Sequence, residues 1–251
     1  MTKRKQRLPF SAASLQSAAN ALAAQRMRAP AGIGERGEKN LHALFKLAIE
    51  PDRSKHEVPL DGYIADVRNE DGVFEIQTRG FARLAAKLEV FLKSCDVTVV
   101  CPIVTDKTIV WLDENGEVQS KRQSPKHGVP TDAAAELYAL RHLIGHPRLR
   151  FLFPRLAAVE YRDAARKNNG AKAAADRLPA SFSDVIEVRT RADVKALLPK
   201  GLPKTFTAKE FEKHIRRPSR AAHAALGLFC ACGFFDRKKE GRAYLYTRKS
   251  R

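Results

Sequence analysis

The stretch Val97–Val104 is a continuous apolar run. A strand without alternation between apolar and polar residues is typical of a sheet that is covered on both faces. Before it, the periodicity predicts a helix over Glu35–Ile49, a hairpin of strands over Val58–Val67 and Val73–Thr78, and a helix over Phe81–Leu92. This order predicts an α/β (α+β) fold, in which a mixed sheet is flanked by helices.

Shorter elements follow the buried strand. They are a second hairpin over Thr108–Leu112 and Glu117–Gln119, a basic loop over Lys121–Gly128, a helix over Asp132–Ile144 and a strand over Leu149–Tyr161. The polar, Ala-rich stretch Arg166–Arg177 is typical of a linker. We therefore predict a basic flexible arm over 1–34, a first domain over 35–165, a linker and connecting segment over 166–188, and a C-terminal domain over 189–251.

Positive charge is concentrated at the two ends of the sequence. The chain has 46 Lys and Arg against 28 Asp and Glu, a net charge of +18. Residues 201–251 alone hold thirteen basic and four acidic residues. A cationic surface attracts polyanions and releases their counterions on binding. Nucleic acid is therefore the first partner to consider.

Membrane proteins and secreted proteins are disfavoured classes. No apolar run reaches the roughly 20 residues of a membrane span, and no signal-peptide core follows the basic start. The four cysteines form neither a disulfide framework nor a CxxC pair, which suits a reducing cytosol. We expect a cytoplasmic protein without a membrane partner.

Three helices are predicted in the C-terminal region, over Ala192–Leu198, Ala208–Ile215 and Arg220–Cys232. Thr207 and Ser219 are the N-caps predicted for the second and the third helix. A glycine ends the third helix, and the apolar stripe of that helix leaves its basic residues on the outer face.

Two short strands, Phe234–Asp236 and Arg242–Tyr246, follow around a basic turn. Three helices and a basic hairpin in this order resemble a winged helix-turn-helix domain over Arg189–Lys249. The resemblance implies that the third helix enters the major groove of duplex DNA and that the hairpin contacts phosphates. The DNA-binding residues that it implies are Arg216, Arg217, Ser219, Arg220 and His223 around the third helix, and Arg237, Lys238, Lys239 and Arg242 on the hairpin.

Acidic residues stand at corresponding places on the two strands of the first hairpin. Asp66 is near the end of one strand, and Glu75 and Gln77 share one face of the other because side chains alternate. A loop of two or four residues would place Asp66 beside Glu75 or Gln77, whereas an odd number would separate them. Glu38, on the preceding helix, can reach the same edge.

This constellation resembles the nuclease superfamily with the PD-(D/E)xK motif, which implies a restriction-endonuclease-like fold. By that resemblance Glu38, Asp66 and Glu75 bind Mg²⁺ or Mn²⁺, which polarises a phosphate and lowers the pKa of an attacking water. Gln77 stands where the family usually has a lysine, and Lys87 on the next helix is a candidate to replace that charge.

A longer part of the chain resembles an uncharacterised bacterial family that joins such a domain to a C-terminal winged helix. The matching features include Glu75-Ile-Gln-Thr78, Ser124-Pro125-Lys126 and His146-Pro147. In the basic loop, Lys121, Arg122 and Lys126 are candidates to grip the nucleic-acid backbone.

Several functions are compatible with these patterns. We expect a DNA-binding protein with a nuclease-like domain, with Mg²⁺-dependent phosphodiester hydrolysis as its candidate activity. The alternatives are a non-catalytic DNA-binding regulator on a degenerate nuclease fold and a scaffold whose winged helix binds proteins. The sequence leaves open whether the chain forms a homodimer and whether it prefers DNA or RNA.

Overall fold

The computed structural model describes residues 7–27, 40–164, 175–241 and 243–249. Its α-helices are α1 (Ala12–Met27), α2 (Asn40–Ile49), α3 (Ala85–Phe91), α4 (Pro130–Leu137), α5 (Ala208–Ile215) and α6 (Ser219–Ala231). Its strands are β1 (His56–Leu60), β2 (Tyr63–Asn69), β3 (Gly72–Ile76), β4 (Val97–Val100), β5 (Ile103–Leu112), β6 (Val118–Gln123), β7 (Leu149–Asp163), β8 (Ala175–Val188), β9 (Thr205–Thr207), β10 (Phe235–Glu240) and β11 (Ala243–Arg248). Within these ranges, no helix combines the length and the apolar character needed to cross a membrane.

Eight of the strands form one mixed sheet. Their order is β1-β2-β3-β4-β7-β5-β6, and β8 pairs with β7. The hairpins β1–β2, β2–β3 and β5–β6 are antiparallel, whereas β4 and β7 run parallel. All four residues of β4 are buried, as expected for a strand that is covered on both faces. The predicted mixed sheet flanked by helices is confirmed.

The chain divides into two compact units, each made of three stretches of sequence. The first unit comprises Met1–Ile76, Val104–His127 and Leu156–Ser183. The second comprises Gln77–Ile103, Gly128–Arg155 and Asp184–Arg251. Each unit therefore depends on contacts between residues that are far apart in the chain.

The beginning of the first unit is packed against its core. Phe10, Leu15 and Ala18 are buried, and α1 lies against α2. The Phe10 ring centroid lies 5.3 Å from that of Phe45 and 6.2 Å from that of Phe182. Within the arm predicted over 1–34, an aromatic contact and an apolar stripe thus hold Phe10 and the start of α1.

A tight turn divides the predicted strand Val58–Val67 into β1 and β2. Asp61 and Gly62 have φ of 48° and 82°, and Leu60 pairs with Tyr63 across them. Positive φ at both central residues defines a type I′ turn, for which Asp-Gly is a preferred pair. The prediction of a single strand is wrong because the apolar pattern continues across Asp61-Gly62, where the backbone turns.

Other predicted elements also differ from the structure. The run Val97–Val104 is split into β4 and β5, and Pro102, which has no N–H for a strand ladder, lies in the break. Lys121 and Arg122 lie in β6 and not in a loop. Residues 175–188, which were assigned to the linker segment, form strand β8.

The C-terminal part of the second unit follows the predicted order of elements. A 3-10 helix over Asp193–Leu197 precedes β9, α5, α6 and the hairpin β10–β11, and the three strands form an antiparallel sheet in the order β10-β11-β9. The N-cap at Thr207 is confirmed, since its hydroxyl accepts from the Glu210 N–H. The N-cap at Ser219 is wrong: α6 begins at Ser219 and Pro218 precedes it as N-cap.

Candidate functional site

Asp66 and Glu75 lie side by side on adjacent strands. Only Glu70 and Asp71 separate Asn69 from its partner Gly72, so the loop has two residues and Asp66 comes opposite Glu75. A Glu75 Oε1 atom lies 3.4 Å from the Asp66 backbone N, and the Asp66 Oδ2 atom accepts from the Ile76 N–H at 2.7 Å. The even-loop prediction is therefore confirmed, and the two acids share one face of the hairpin.

Helix α2 adds a histidine that the sequence analysis did not select. The Nε2 atom of His42 lies 3.1 Å from Asp66 Oδ2. One turn further, the buried Lys46 pairs with Glu57 at 3.1 Å, and the register of β1 and β2 places Glu57 opposite Asp66. The spacing of four residues between His42 and Lys46, on a helix that is otherwise mainly apolar, is the signal that could have found them.

The remaining predicted members of the acidic site are Glu38, Gln77 and Lys87. Glu38 falls outside the described residues. Gln77 belongs to the second unit, where its N–H donates to the Val100 carbonyl, and Lys87 on α3 lies 5.7 Å from the Phe91 ring centroid in the same unit. Among the described residues, no three His, Cys, Asp or Glu side chains are grouped so that they could hold a metal ion. The described chain thus supplies two of the three predicted ligands.

Basic residues cluster at the start of α6. Arg216, Arg220 and His223 are exposed, while the opposite side of α6 is buried. The Nδ1 atom of His223 lies 2.8 Å from the Ser219 carbonyl oxygen, so that its ring is held along the helix. Arg217 differs from these residues because its guanidinium donates to the Asp132 carboxylate of α4 at 2.5 and 2.9 Å. That contact raises the pKa of Arg217 and commits the side chain to the protein.

The hairpin β10–β11 carries a second group of exposed basic residues. Arg237, Lys238 and Lys239 are exposed in β10, and Arg242 lies outside the described residues. The register pairs Lys239 with Tyr244, and the Arg237 guanidinium lies 5.1 Å from the Tyr244 ring centroid. Alternation therefore places Arg237, Lys239 and the exposed Tyr244 on one face of the hairpin.

The basic residues predicted near the acidic site are exposed in the first unit. Lys121 and Arg122 lie on β6, of which every residue is exposed, and Lys126 follows in a turn where its N–H donates to the Ser124 hydroxyl. Arg122 pairs with Ile109, so it shares a face of β5 and β6 with Lys107 and Trp111.

Comparison with known proteins identifies a family but not an activity. A family model described as a domain of unknown function (DUF8091) matches residues 39–190, a range that includes Asp66 and Glu75. An uncharacterized protein of Treponema pallidum (strain Nichols) is 38% identical over 113 residues. That match covers 45% of this chain and 45% of the relative, so it spans less than half of the relative's length. No solved structure matches the chain.

Proposed function

This chain belongs to the family described as a domain of unknown function (DUF8091), and we propose that it is a DNA-binding protein whose residues 189–249 contact duplex DNA. The observation that carries the proposal is the grouping of exposed cations at the start of α6 and on β10. The order of a short helix, a strand, two helices and a hairpin supports a winged helix-turn-helix arrangement.

The two groups of cations have different roles in this proposal. Arg220 and His223 lie on the outer face near the start of α6, where a recognition helix presents side chains to base edges. An arginine there can donate to guanine O6 and N7. Arg237 and Lys239 share a face of the hairpin and contact phosphates, which contributes affinity without sequence preference.

Salt dependence of DNA affinity tests this proposal. Each lost phosphate contact lowers the slope of log affinity against log salt by about 0.9. We expect the double variant Arg237→Gln/Lys239→Gln to lower the slope by about 2 in fluorescence anisotropy with a 20-base-pair duplex, a length of about two helical turns. The matched control removes two exposed charges elsewhere, as Arg83→Gln/Lys93→Gln. Equal slopes for the two double variants would contradict the assignment, and no retention of DNA at low salt would favour a protein-binding scaffold.

A second activity, phosphodiester hydrolysis, is supported by the contact between Asp66 and Glu75. Carboxylate oxygens are the ligands that Mg²⁺ prefers, and two carboxylate residues stand opposite each other here on adjacent strands. Glu38, four residues before His42 in the chain, is the proposed third ligand. The helix, hairpin, helix and buried strand of this region support a restriction-endonuclease-like fold.

The protein side chains would prepare this site in a defined way. His42 and the Ile76 N–H both bind Asp66 Oδ2, so they fix the orientation of that carboxylate. Glu75 is only 2% exposed, which keeps its carboxylate beside Asp66 and limits access of water. A bound Mg²⁺ or Mn²⁺ would supply Lewis-acid activation of a phosphate and of water.

Cleavage assays separate the enzyme from a non-catalytic regulator. We expect the wild-type protein with Mg²⁺ or Mn²⁺ to cut plasmid, linear or single-stranded DNA, and Asp66→Asn to abolish cutting while it retains DNA binding. Asp71→Asn, in the exposed turn of the same hairpin, is the matched control and keeps activity. If no DNA is cut while DNA binding survives Glu75→Gln, the chain is a regulator on a degenerate nuclease fold.

A further inference from the structure

A buried glutamate in the first unit holds three basic side chains. Glu160 on β7 is 1% exposed. Its Oε2 atom accepts from Lys107 Nζ at 2.9 Å and from Arg177 Nε at 2.7 Å, and its Oε1 atom accepts from Arg162 Nε at 2.8 Å. The three cations come from β5, β7 and β8, so that one carboxylate joins three strands.

The group has two more positive charges than the carboxylate neutralises. Burial raises the pKa of Glu160, but the hydrogen bonds from Lys107, Arg162 and Arg177 outweigh it and lower the pKa to about 2. Glu160 is therefore charged at neutral pH, and the four side chains together carry +2.

Donors of this cluster remain available to a ligand. Arg177 is 36% exposed and binds Glu160 through Nε only, and within the described residues its Nη atoms have no protein partner. Arg162 is 28% exposed, donates to Glu160 through both Nε and Nη2, and lies 5.4 Å from the Trp111 ring centroid. Glu160 thus orients Arg177 through Nε, and the hydrogen bonds among the described residues do not use the Nη donors of Arg177.

We infer that Lys107, Arg162 and Arg177 form a binding site for a phosphate monoester. A terminal phosphate carries about −1.5 to −2 charges at pH 7 on a single group, which matches the +2 of the cluster. The planar arginine fork binds phosphate oxygens with two parallel hydrogen bonds. A phosphodiester, with one negative charge, would leave the cluster half neutralised. The inference does not depend on the proposed contacts of residues 189–249 with duplex DNA.

The tryptophan of this cluster makes the inference directly measurable. Trp111 is the sole tryptophan of the chain and carries the Arg162 guanidinium on its ring. The 251-residue chain is titrated with inorganic phosphate and pyrophosphate, and Trp111 emission is followed alongside equilibrium dialysis. We expect saturable binding, with an affinity at least about tenfold lower in Arg177→Gln, because one charge-assisted fork is lost.

Two further variants separate a ligand site from a structural cluster. Arg177→Lys keeps the charge but loses the fork, and we expect it to bind between wild type and Arg177→Gln. Arg53→Gln removes an exposed charge elsewhere in the first unit and is expected to bind like wild type. Urea unfolding of each variant shows whether the unit is still folded. An affinity in folded Arg177→Gln equal to that of wild type would overturn the inference.

The source of the phosphate is resolved by two oligonucleotides that differ at one group. A 5′-phosphorylated single strand is compared with the same strand carrying a 5′-hydroxyl. Tighter binding of the phosphorylated strand, lost in Arg177→Gln, identifies a nucleic-acid end as the ligand. Binding of free phosphate without this difference identifies a small-molecule ligand. If neither free phosphate nor the 5′-phosphate is bound in dialysis, the cluster is structural only and the inference fails.

Discussion

Replacement of Glu160 by glutamine is expected to destabilise the first unit by about 3 kcal/mol at pH 7. The pKa of Glu160 falls from its ordinary value of 4.5 to about 2, a change of about 2.5 units. Each unit is equivalent to about 1.36 kcal/mol of preference for the charged form, which gives the magnitude. Glutamine keeps the shape of the side chain but cannot balance the charges of Lys107, Arg162 and Arg177.

The same change should alter the pH dependence of stability. A carboxylate whose pKa is lower in the folded state contributes stability above its unfolded pKa, and this contribution is lost as the pH falls through the folded pKa. Wild type should therefore lose stability between about pH 4.5 and pH 2 more steeply than Glu160→Gln. Unfolding of wild type takes up about one more proton than unfolding of Glu160→Gln in this range. The slopes of the free energy of unfolding against pH should therefore differ by about 1.4 kcal/mol per pH unit.

Trp111 emission reports this unfolding because the residue lies in the first unit beside Arg162. Urea titrations at pH 7 and pH 3 of wild type and Glu160→Gln give both quantities. Glu117→Gln, an exposed residue of the same unit, is the control and should stay within about 0.5 kcal/mol of wild type. A Glu160→Gln variant as stable as this control, or with an unchanged slope, would refute the charge argument.

Three more substitutions test packing and capping, each by urea unfolding against wild type. Thr207→Ala removes the side-chain cap of α5 and should lower the free energy of unfolding by about 1 kcal/mol. Thr207→Ser keeps the hydroxyl and should retain most of the stability of wild type. Gly227→Ala places a methyl group 2.6 Å from the Tyr138 ring and should lower the free energy of unfolding by about 1–3 kcal/mol, although alanine favours the helix. The second substitution Tyr138→Leu should reduce this loss of stability. Phe10→Ala leaves a cavity beside Phe45 and should lower the free energy of unfolding by about 3–5 kcal/mol. If this part of the chain were flexible, the substitution would leave stability unchanged.

Local signals in the sequence predicted the elements with a strong pattern. The cap at Thr207, the strand that begins at Leu149 and the buried strand that begins at Val97 all lie where the periodicity or the cap residue indicated. Elements that depend on distant partners were not predicted. Strand β8 has a polar, Ala-rich beginning, and it becomes a strand by pairing with β7, a contact that no window of neighbouring residues contains.

The acidic site likewise combines contacts that local sequence signals predict with contacts that they do not. Asp66 and Glu75 could be placed together because loop length and side-chain alternation are local properties of one hairpin. His42 could be singled out by its spacing from Lys46 but could not be placed beside Asp66, because that contact depends on how α2 crosses the sheet. The apolar stripe of a helix predicts which side is buried. It does not predict which strand a polar residue at the edge of that stripe will contact.

Net charge does not show which basic residues can bind a ligand, because it does not reveal which of them are already paired with acidic residues of the protein. Arg217 and Arg220 are three residues apart and look equivalent in the sequence, yet Asp132 holds the first and the second is exposed. Conversely, Arg177 belongs to the stretch whose composition is typical of a linker, and the structure places its guanidinium beside a buried carboxylate. The described part of the chain offers its Nη donors no partner. A basic residue is a candidate to bind an anion when its surroundings fix the direction of its fork without using all of its donors. By that criterion Arg177 is a stronger candidate than Arg217, although the sequence alone ranks them the other way.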